Sequence, residues 1–187
     1  MNIIVKPEGS DFCYCRPDTT WERENRDFYV PDSAGELYWT PVIYARVSKA
    51  GKCISPKFVS RYYDAFSFGM LLYCRPEGVN MHETALMSCA DHTSILPAPD
   101  HAAEQLDDNS TGHSISLNGE KVFCSIPERS LIEDALCRAS QLTSLRIGDF
   151  VAVELGSLKA LERKDGTDIA VKGEFGGRCL YDFKVIF

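Results

Sequence analysis

The chain has 187 residues, 44% of them hydrophobic and 25% charged, with a formal net charge of -7. That length and balance fit one globular domain, residues 1–187, with a core of its own. The acidic surplus and the lack of a basic run exclude nucleic acid as a partner, and no stretch approaches the roughly 20 apolar residues of a membrane span.

Residues Met1 to Val5 read as a short strand, and the apolar run there is too short for an export signal. A cytoplasmic protein with reduced thiols is therefore expected from the eight cysteines. Cys53, Cys74, Cys124, Cys137 and Cys179 lie among apolar residues and read as small core hydrophobes. Cys13-Tyr14-Cys15 runs into Arg16-Pro17-Asp18-Thr19. Trp21 to Arg26 is polar and reads as a surface loop, and Phe28 to Pro31 as a short extended piece.

Leu37 to Ser48 is rich in β-formers and predicts a strand buried on both faces. Lys49-Ala50-Gly51-Lys52 supplies a turn. Ser55-Pro56 opens a helix, with serine as cap and proline at the first helical position. Phe58, Val59, Tyr62, Tyr63 and Phe66 form its apolar face and Asp64 sits near its end. Phe68 to Tyr73 reads as a second buried strand, followed by a turn at Arg75-Pro76-Glu77-Gly78 and a short helix from Met81 to Ser88.

Pro97 to Gly112 is a polar loop. Asn118-Gly119 between His113–Leu117 and Glu120–Ser125 is a hairpin signal of the type I′ kind. Ser130-Leu131-Ile132-Glu133 matches a capping box and opens a helix with Leu131, Ile132, Ala135, Leu136, Ala139 and Leu142 on one face. Two last strands, Asp168 to Phe175 and Arg178 to Phe187, meet at Gly176-Gly177, with Tyr181, Phe183, Val185 and Phe187 alternating on one face.

The run Arg46-Val47-Ser48-Lys49-Ala50-Gly51-Lys52, then Phe58, Arg61-Tyr62-Tyr63-Asp64 and Gly69, resembles the core of the fumarylacetoacetate hydrolase family, most of all its short single-domain bacterial members. The Asn118-Gly119 hairpin, the helix after Ser130 with Gly148-Asp149 beyond it, and Leu180 to Val185 extend the resemblance over most of the chain. It implies a mainly β fold with a few short helices (α+β): a rolled mixed sheet around one core. It also implies a homodimer.

The same resemblance locates the family's chemistry, and the residues there differ. The family holds magnesium or calcium with three carboxylates, whose positions fall on Thr40, Val42 and Leu71. The metal site is therefore expected to be empty. Arg16 stands for the lysine of a Lys-Pro-Asp-Thr-like motif, while Pro17, Asp18 and Thr19 match. The lid that carries a histidine and a glutamate is missing, because residues 6–15 contain no histidine and a single glutamate, Glu8. Ser88 replaces the substrate-facing lysine and Asp91 keeps the aspartate three residues on. In place of a Thr-Gly-Thr-Pro-like loop stands Val151 to Ser157, with only Gly156 in common.

The binding candidates are thus Arg16, Asp18, Thr40, Leu71, Ser88 and Asp91. A rebuilt acid–base site would use Asp18, Asp91 and His92, with Glu83 near; the alternative is that both aspartates are structural hydrogen-bonders at turns and His92 a loop histidine. Cys13, Cys15, Cys89 and His92 lack the paired spacing of a zinc site. The pattern reads as a non-catalytic family member kept for binding or assembly. The alternatives are an active hydrolase or decarboxylase of carbon–carbon bonds in oxo-acids around Asp18 and Asp91, and a subunit that pairs with an active paralogue.

Overall fold

The computed structural model describes residues 1–76, 87–107, 111–126, 128–162 and 167–187. In chain order its strands begin with β1 (Ile3–Lys6), β2 (Tyr14–Arg16), β3 (Trp21–Glu22), β4 (Phe28–Tyr29), β5 (Ala34–Val47) and β6 (Tyr63–Pro76). Next come β7 (Ser94–Ile95), β8 (His101–Ala102), β9 (His113–Leu117) and β10 (Glu120–Ser125). Helix α1 (Arg129–Leu142) precedes β11 (Phe150–Glu154), β12 (Lys159–Ala160), β13 (Ile169–Phe175) and β14 (Arg178–Ile186).

Among the described residues, nine strands form one mixed sheet. Its main order is β2-β1-β11-β5-β6-β7-β3, with β12 added on β5 and β8 on β6. The other five form a second sheet, β10-β9-β13-β14-β4. The fold is the mainly β, mixed-sheet architecture expected from the sequence. Among the described residues no helix is long and apolar enough to cross a membrane.

The axis of the large sheet is the β5–β6 pair, each strand fourteen residues long. Their ladder sets Thr40 opposite Leu71, Val42 opposite Gly69 and Ala45 opposite Phe66. Side chains alternate across a strand, so the pair has two distinct faces. On one, Ile43, Ala45, Val47, Phe66 and Phe68 pack under Ile132, Ala135, Leu136 and Ala139 of α1. Further along the same face, Trp39, Met70 and Leu72 meet Ile115, Val171, Tyr181 and Phe183 of the second sheet. The opposite face carries Val42, Tyr44, Leu71 and Tyr73, closed by Ile3, Val5, Phe150 and Leu96. Burial on both sides is what the unbroken run of β-formers required.

Several local expectations are corrected. The helix after Ser55 is a six-residue 3-10 turn, Pro56–Arg61, and the Ser55 side chain makes no cap bond. Tyr63 already belongs to β6, paired with Val47. Asp64 therefore stands on a strand, where both of its carboxylate oxygens accept from Arg46 at 3.2 and 2.9 Å. A dozen residues is a marginal helix in water, and Tyr63 to Phe66 gain more from a full cross-strand ladder.

The capping box is not formed. Glu128 takes the cap position of α1 without a side-chain bond, and Glu133 accepts instead from the Tyr63 hydroxyl at 3.1 Å. Trp21–Glu22 is a strand rather than loop, parallel to β7. Of the cysteines read as core, Cys74 and Cys137 are buried while Cys53, Cys124 and Cys179 are exposed. Those three sit at a turn, on the outer strand β10 and beside the last hairpin, where one side faces solvent. The helix expected from Met81 falls almost entirely on residues 81–86, and Glu83 with it, outside the described residues.

Candidate functional site

Thr40, Val42 and Leu71 stand on one face of the β5–β6 ladder, as the register requires. Val42 and Leu71 are fully buried hydrocarbon. The Thr40 hydroxyl, also buried, donates to the Gly156 carbonyl at 2.7 Å. The neighbouring strand β11 pairs Glu154 with Val42, which puts the Glu154 carboxylate on that same face. Tyr73, two residues beyond Leu71, shares the face as well.

These side chains are tied together. The Tyr73 hydroxyl donates to Glu154, and the Tyr14 hydroxyl bonds to the Tyr73 oxygen. The second Glu154 oxygen accepts from the Glu8 backbone at 3.3 Å. Arg16 is buried beside them, its guanidinium 4.9 Å from the centre of the Tyr73 ring. Its Nε donates to the Ser88 carbonyl at 3.1 Å, and one Nη2 donates to the Leu72 carbonyl and to the Thr93 hydroxyl, both at 2.8 Å. Its Nη1 is buried without a hydrogen-bond partner among the described residues.

Burial raises the Glu154 carboxyl above its usual range, against the Tyr73 hydrogen bond and the Arg16 charge, which lower it. Burial likewise pushes the Tyr14 phenol up to about 12. The cluster is a short chain of hydroxyls ending on a carboxyl whose pKa burial raises. Chemically it can hold a proton in a dry setting and offer a guanidinium edge to an anion.

It does not fit a hard divalent cation. Such an ion takes six or more oxygens, with several carboxylates supplying the charge. Here the positions that the resemblance gives to carboxylates offer one hydroxyl and two hydrocarbon groups. The nearby Glu154 carboxyl already accepts two hydrogen bonds. No group of three or more His, Cys, Asp or Glu able to hold a metal occurs among the described residues.

The other candidates are placed as follows. Asp18 opens a one-turn 3-10 segment, its side chain 62% exposed and 3.9 Å from the terminal amine. Asp91 is exposed and His92 adopts φ 58°. The His92 Nδ1 lies 3.0 Å from Glu22 Oε2. Asp91, His92 and Glu22 line one groove of about 760 Å³, which Asp18 does not border. Ser88 is buried and contributes its carbonyl to Arg16. Thr40, Leu71, Arg16 and Ser88 thus belong to one buried region, and Asp91 with His92 to another.

Tyr14, Tyr73, Glu154 and Glu22 were not singled out from the sequence. The signal for Glu154 is a carboxylate closing the otherwise apolar run Phe150 to Val153, yet only the pairing of β11 with β5 places it opposite Val42. Glu22 lay inside a segment read as loop.

No family model matches this sequence, and no curated protein does. Solved structures match its fold. A Yersinia pestis protein ascribed to the fumarylacetoacetate hydrolase family superposes with a TM-score of 0.80 at 14% identity, over 99% of this chain and 92% of that one. Fumarylpyruvate hydrolase from Pseudomonas aeruginosa, solved with Mn2+ and pyruvate, gives 0.79 at 16% identity, over 100% and 90%. For 5-carboxymethyl-2-hydroxymuconate delta-isomerase from Mycobacterium smegmatis the values are 0.77 and 14%, over 99% and 78%. The chain therefore has the fold of the fumarylacetoacetate hydrolase family, the fold that the motifs between Arg46 and Gly69 imply.

Proposed function

We propose that this chain is a member of the fumarylacetoacetate hydrolase family that has lost metal-dependent chemistry and keeps the fold for binding or assembly. The observation that carries the reading is the set Thr40, Val42 and Leu71, buried on one face and bordered by Tyr73 and Glu154 bonded to each other. A polarising cation acts as a Lewis acid on an oxo group, and this face offers it too few oxygens. The assembly expected is a homodimer or a pairing with an active paralogue, in the cytoplasm.

Calorimetric titration with magnesium, manganese and calcium, each with and without oxalate, tests the reading. The expected result is no saturable binding at or below about 1 mM and no pyruvate released from fumarylpyruvate. Metal binding strengthened by oxalate would overturn it.

One observation favours a second reading, an active hydrolase or decarboxylase of oxo-acids with a rearranged site. The buried Arg16 guanidinium, whose Nη1 has no hydrogen-bond partner among the described residues, lies beside a carboxyl whose pKa burial raises. Metal-independent pyruvate release, abolished by Arg16→Met in a variant that remains folded, is the result this reading expects.

A further inference from the structure

We propose that one end of the large sheet is a docking face for an anionic lipid surface, bound peripherally through cations set among exposed apolar side chains. The registers bring the parts together. Val47, at the end of β5, pairs with Tyr63 at the start of β6, and Arg46 pairs with Phe150 at the start of β11. The segments 48–62 and 143–149 therefore leave the sheet at the same end, and a bridge between Gly51 and Leu145 ties them together. Val47 stands about 23 Å along β5 from Thr40, so this face is separate from the buried one already described.

The charge there runs against that of the chain. Residues 45–63 contain five Lys or Arg and no Asp or Glu, in a protein of net charge -7. Residues 142–148 add Arg146 and no acid. Several cations elsewhere are matched to carboxylates, as in Lys6–Asp134, Arg75–Glu36, Arg129–Asp107 and Arg178–Asp100. Here Arg46 is matched by Asp64, but among the described residues no ion pair joins Lys49, Lys52, Lys57, Arg61 or Arg146 to a carboxylate. Lys52 donates to the Gln141 and Leu142 carbonyls at 3.2 and 3.1 Å, at the end of α1. Lys49 lies 5.2 Å from the centre of the Tyr62 ring, and Lys57 and Arg61 lie 5.5 and 5.1 Å from that of Phe58. The rings orient these charges and leave them unneutralised. Other carboxylates at this end are engaged: Asp149 is buried and accepts from the Asn2 and Arg146 backbone amides, and Asp18 lies 3.9 Å from the terminal amine.

The apolar side chains select the partner. Phe58, Leu142 and Ile147 are 42%, 56% and 71% exposed, and all three belong to these segments or to the end of α1. Hydrocarbon exposed among cations is the composition of a peripheral membrane site. The charges draw the face to anionic headgroups, and the apolar side chains enter the boundary beneath them. The cations are spread over two segments and converge on no single point. A fluid leaflet brings its own charges to such an array, whereas a folded acidic partner needs acceptors at fixed positions. A second copy meeting the same face would be repelled by like charge.

Co-sedimentation of the full chain with vesicles tests the proposal, using phosphatidylcholine alone and phosphatidylcholine with about one-third phosphatidylserine. Binding is expected to the anionic vesicles only, and to fall as salt is raised from about 0.1 to 0.5 M. Lys57→Gln with Arg61→Gln is expected to weaken partitioning about 25-fold. Ile147→Ser changes no charge and is expected to weaken it about fivefold. Lys121→Gln with Lys184→Gln makes the same charge change on exposed positions of the small sheet and is expected to have a far smaller effect. Thermal midpoints report whether each variant is folded. Four results would overturn the proposal: no sedimentation with anionic vesicles, equal sedimentation with neutral ones, equal losses in the two double variants, or capture by poly-L-glutamate that anionic vesicles do not compete away. The last would assign the face to an acidic protein.

Discussion

His113 shows how far one side chain can be displaced from its solution chemistry. It is fully buried, stacked on Phe68 with ring centres 4.5 Å apart and an angle of 10°, and its Nδ1 has no partner among the described residues. Burial holds its pKa down to about 3, against 6.5 in the unfolded chain. The unfolded state therefore takes up the proton first as pH falls. The stability tied to the neutral ring is complete above pH 6.5 and is lost progressively between 6.5 and 3, by on the order of 5 kcal/mol when fully developed. His113→Phe keeps the stack on Phe68 and removes the titration. Urea midpoints measured from pH 7.5 to 4.5 should fall more steeply for the parent chain than for the variant. Glu154 acts with the opposite sign. Its raised carboxyl favours the folded state below the unfolded value of 4.5, and that contribution fades as pH rises through the folded value. Glu154→Gln should remove this opposing contribution, so that the urea midpoint rises more from pH 4.5 to 7.5 in the variant than in the parent chain.

The elements themselves rest on close approaches of backbone. A Cβ built at Gly69 would lie 2.3 Å from the Ile95 carbonyl oxygen, so β7 can dock on β6 only because that position has no side chain. Gly69→Ala should cost about 2–3 kcal/mol and displace β7, seen as a lower thermal midpoint and lost amide protection at Ile95. That glycine was visible in the sequence as part of the family resemblance, and so were β5, the Asn118-Gly119 hairpin and the final pair of strands. These are the features in which period and turn chemistry speak locally. The ends of the helix after Ser55 were not legible, because Tyr63 and Phe66 satisfy helical spacing and a strand ladder alike, and only the partner strand decides. The site divides in the same way. Thr40, Val42 and Leu71 follow from motif spacing. The Tyr14–Tyr73–Glu154 chain joins three separate strands through a register that no local pattern encodes, and the Glu22–His92 pair needs β3 laid parallel to β7 before the two residues meet.

At the scale of the whole molecule, the cysteines report on burial without any tertiary probe. All eight are free thiols. Cys15, Cys53, Cys89, Cys124 and Cys179 are exposed, while Cys74 and Cys137 are buried, and burial pushes the Cys74 thiol up to about 11. Under native conditions at pH 8, an alkylating reagent read by peptide mass spectrometry should modify the five exposed thiols within the period in which Cys74 and Cys137 remain unmodified. Denaturant should equalise them. Early modification of Cys74 would mean that β6 opens readily, which its fourteen-residue ladder with β5 argues against.

The pairing of Glu154 with Val42 also bears on how a metal site could be built on this face. Directly opposite residues on adjacent strands have Cβ atoms about 5 Å apart, so Val42→Glu alone would set a second acidic group against the buried Glu154 carboxyl, whose pKa is already raised. A lone substitution is penalised before any ion can reward it, and Leu71→Asp on the same face meets the same obstacle. The carboxylate on β11 therefore works as a barrier: carboxylate ligands could be installed on this face only together, or after Glu154 has been replaced.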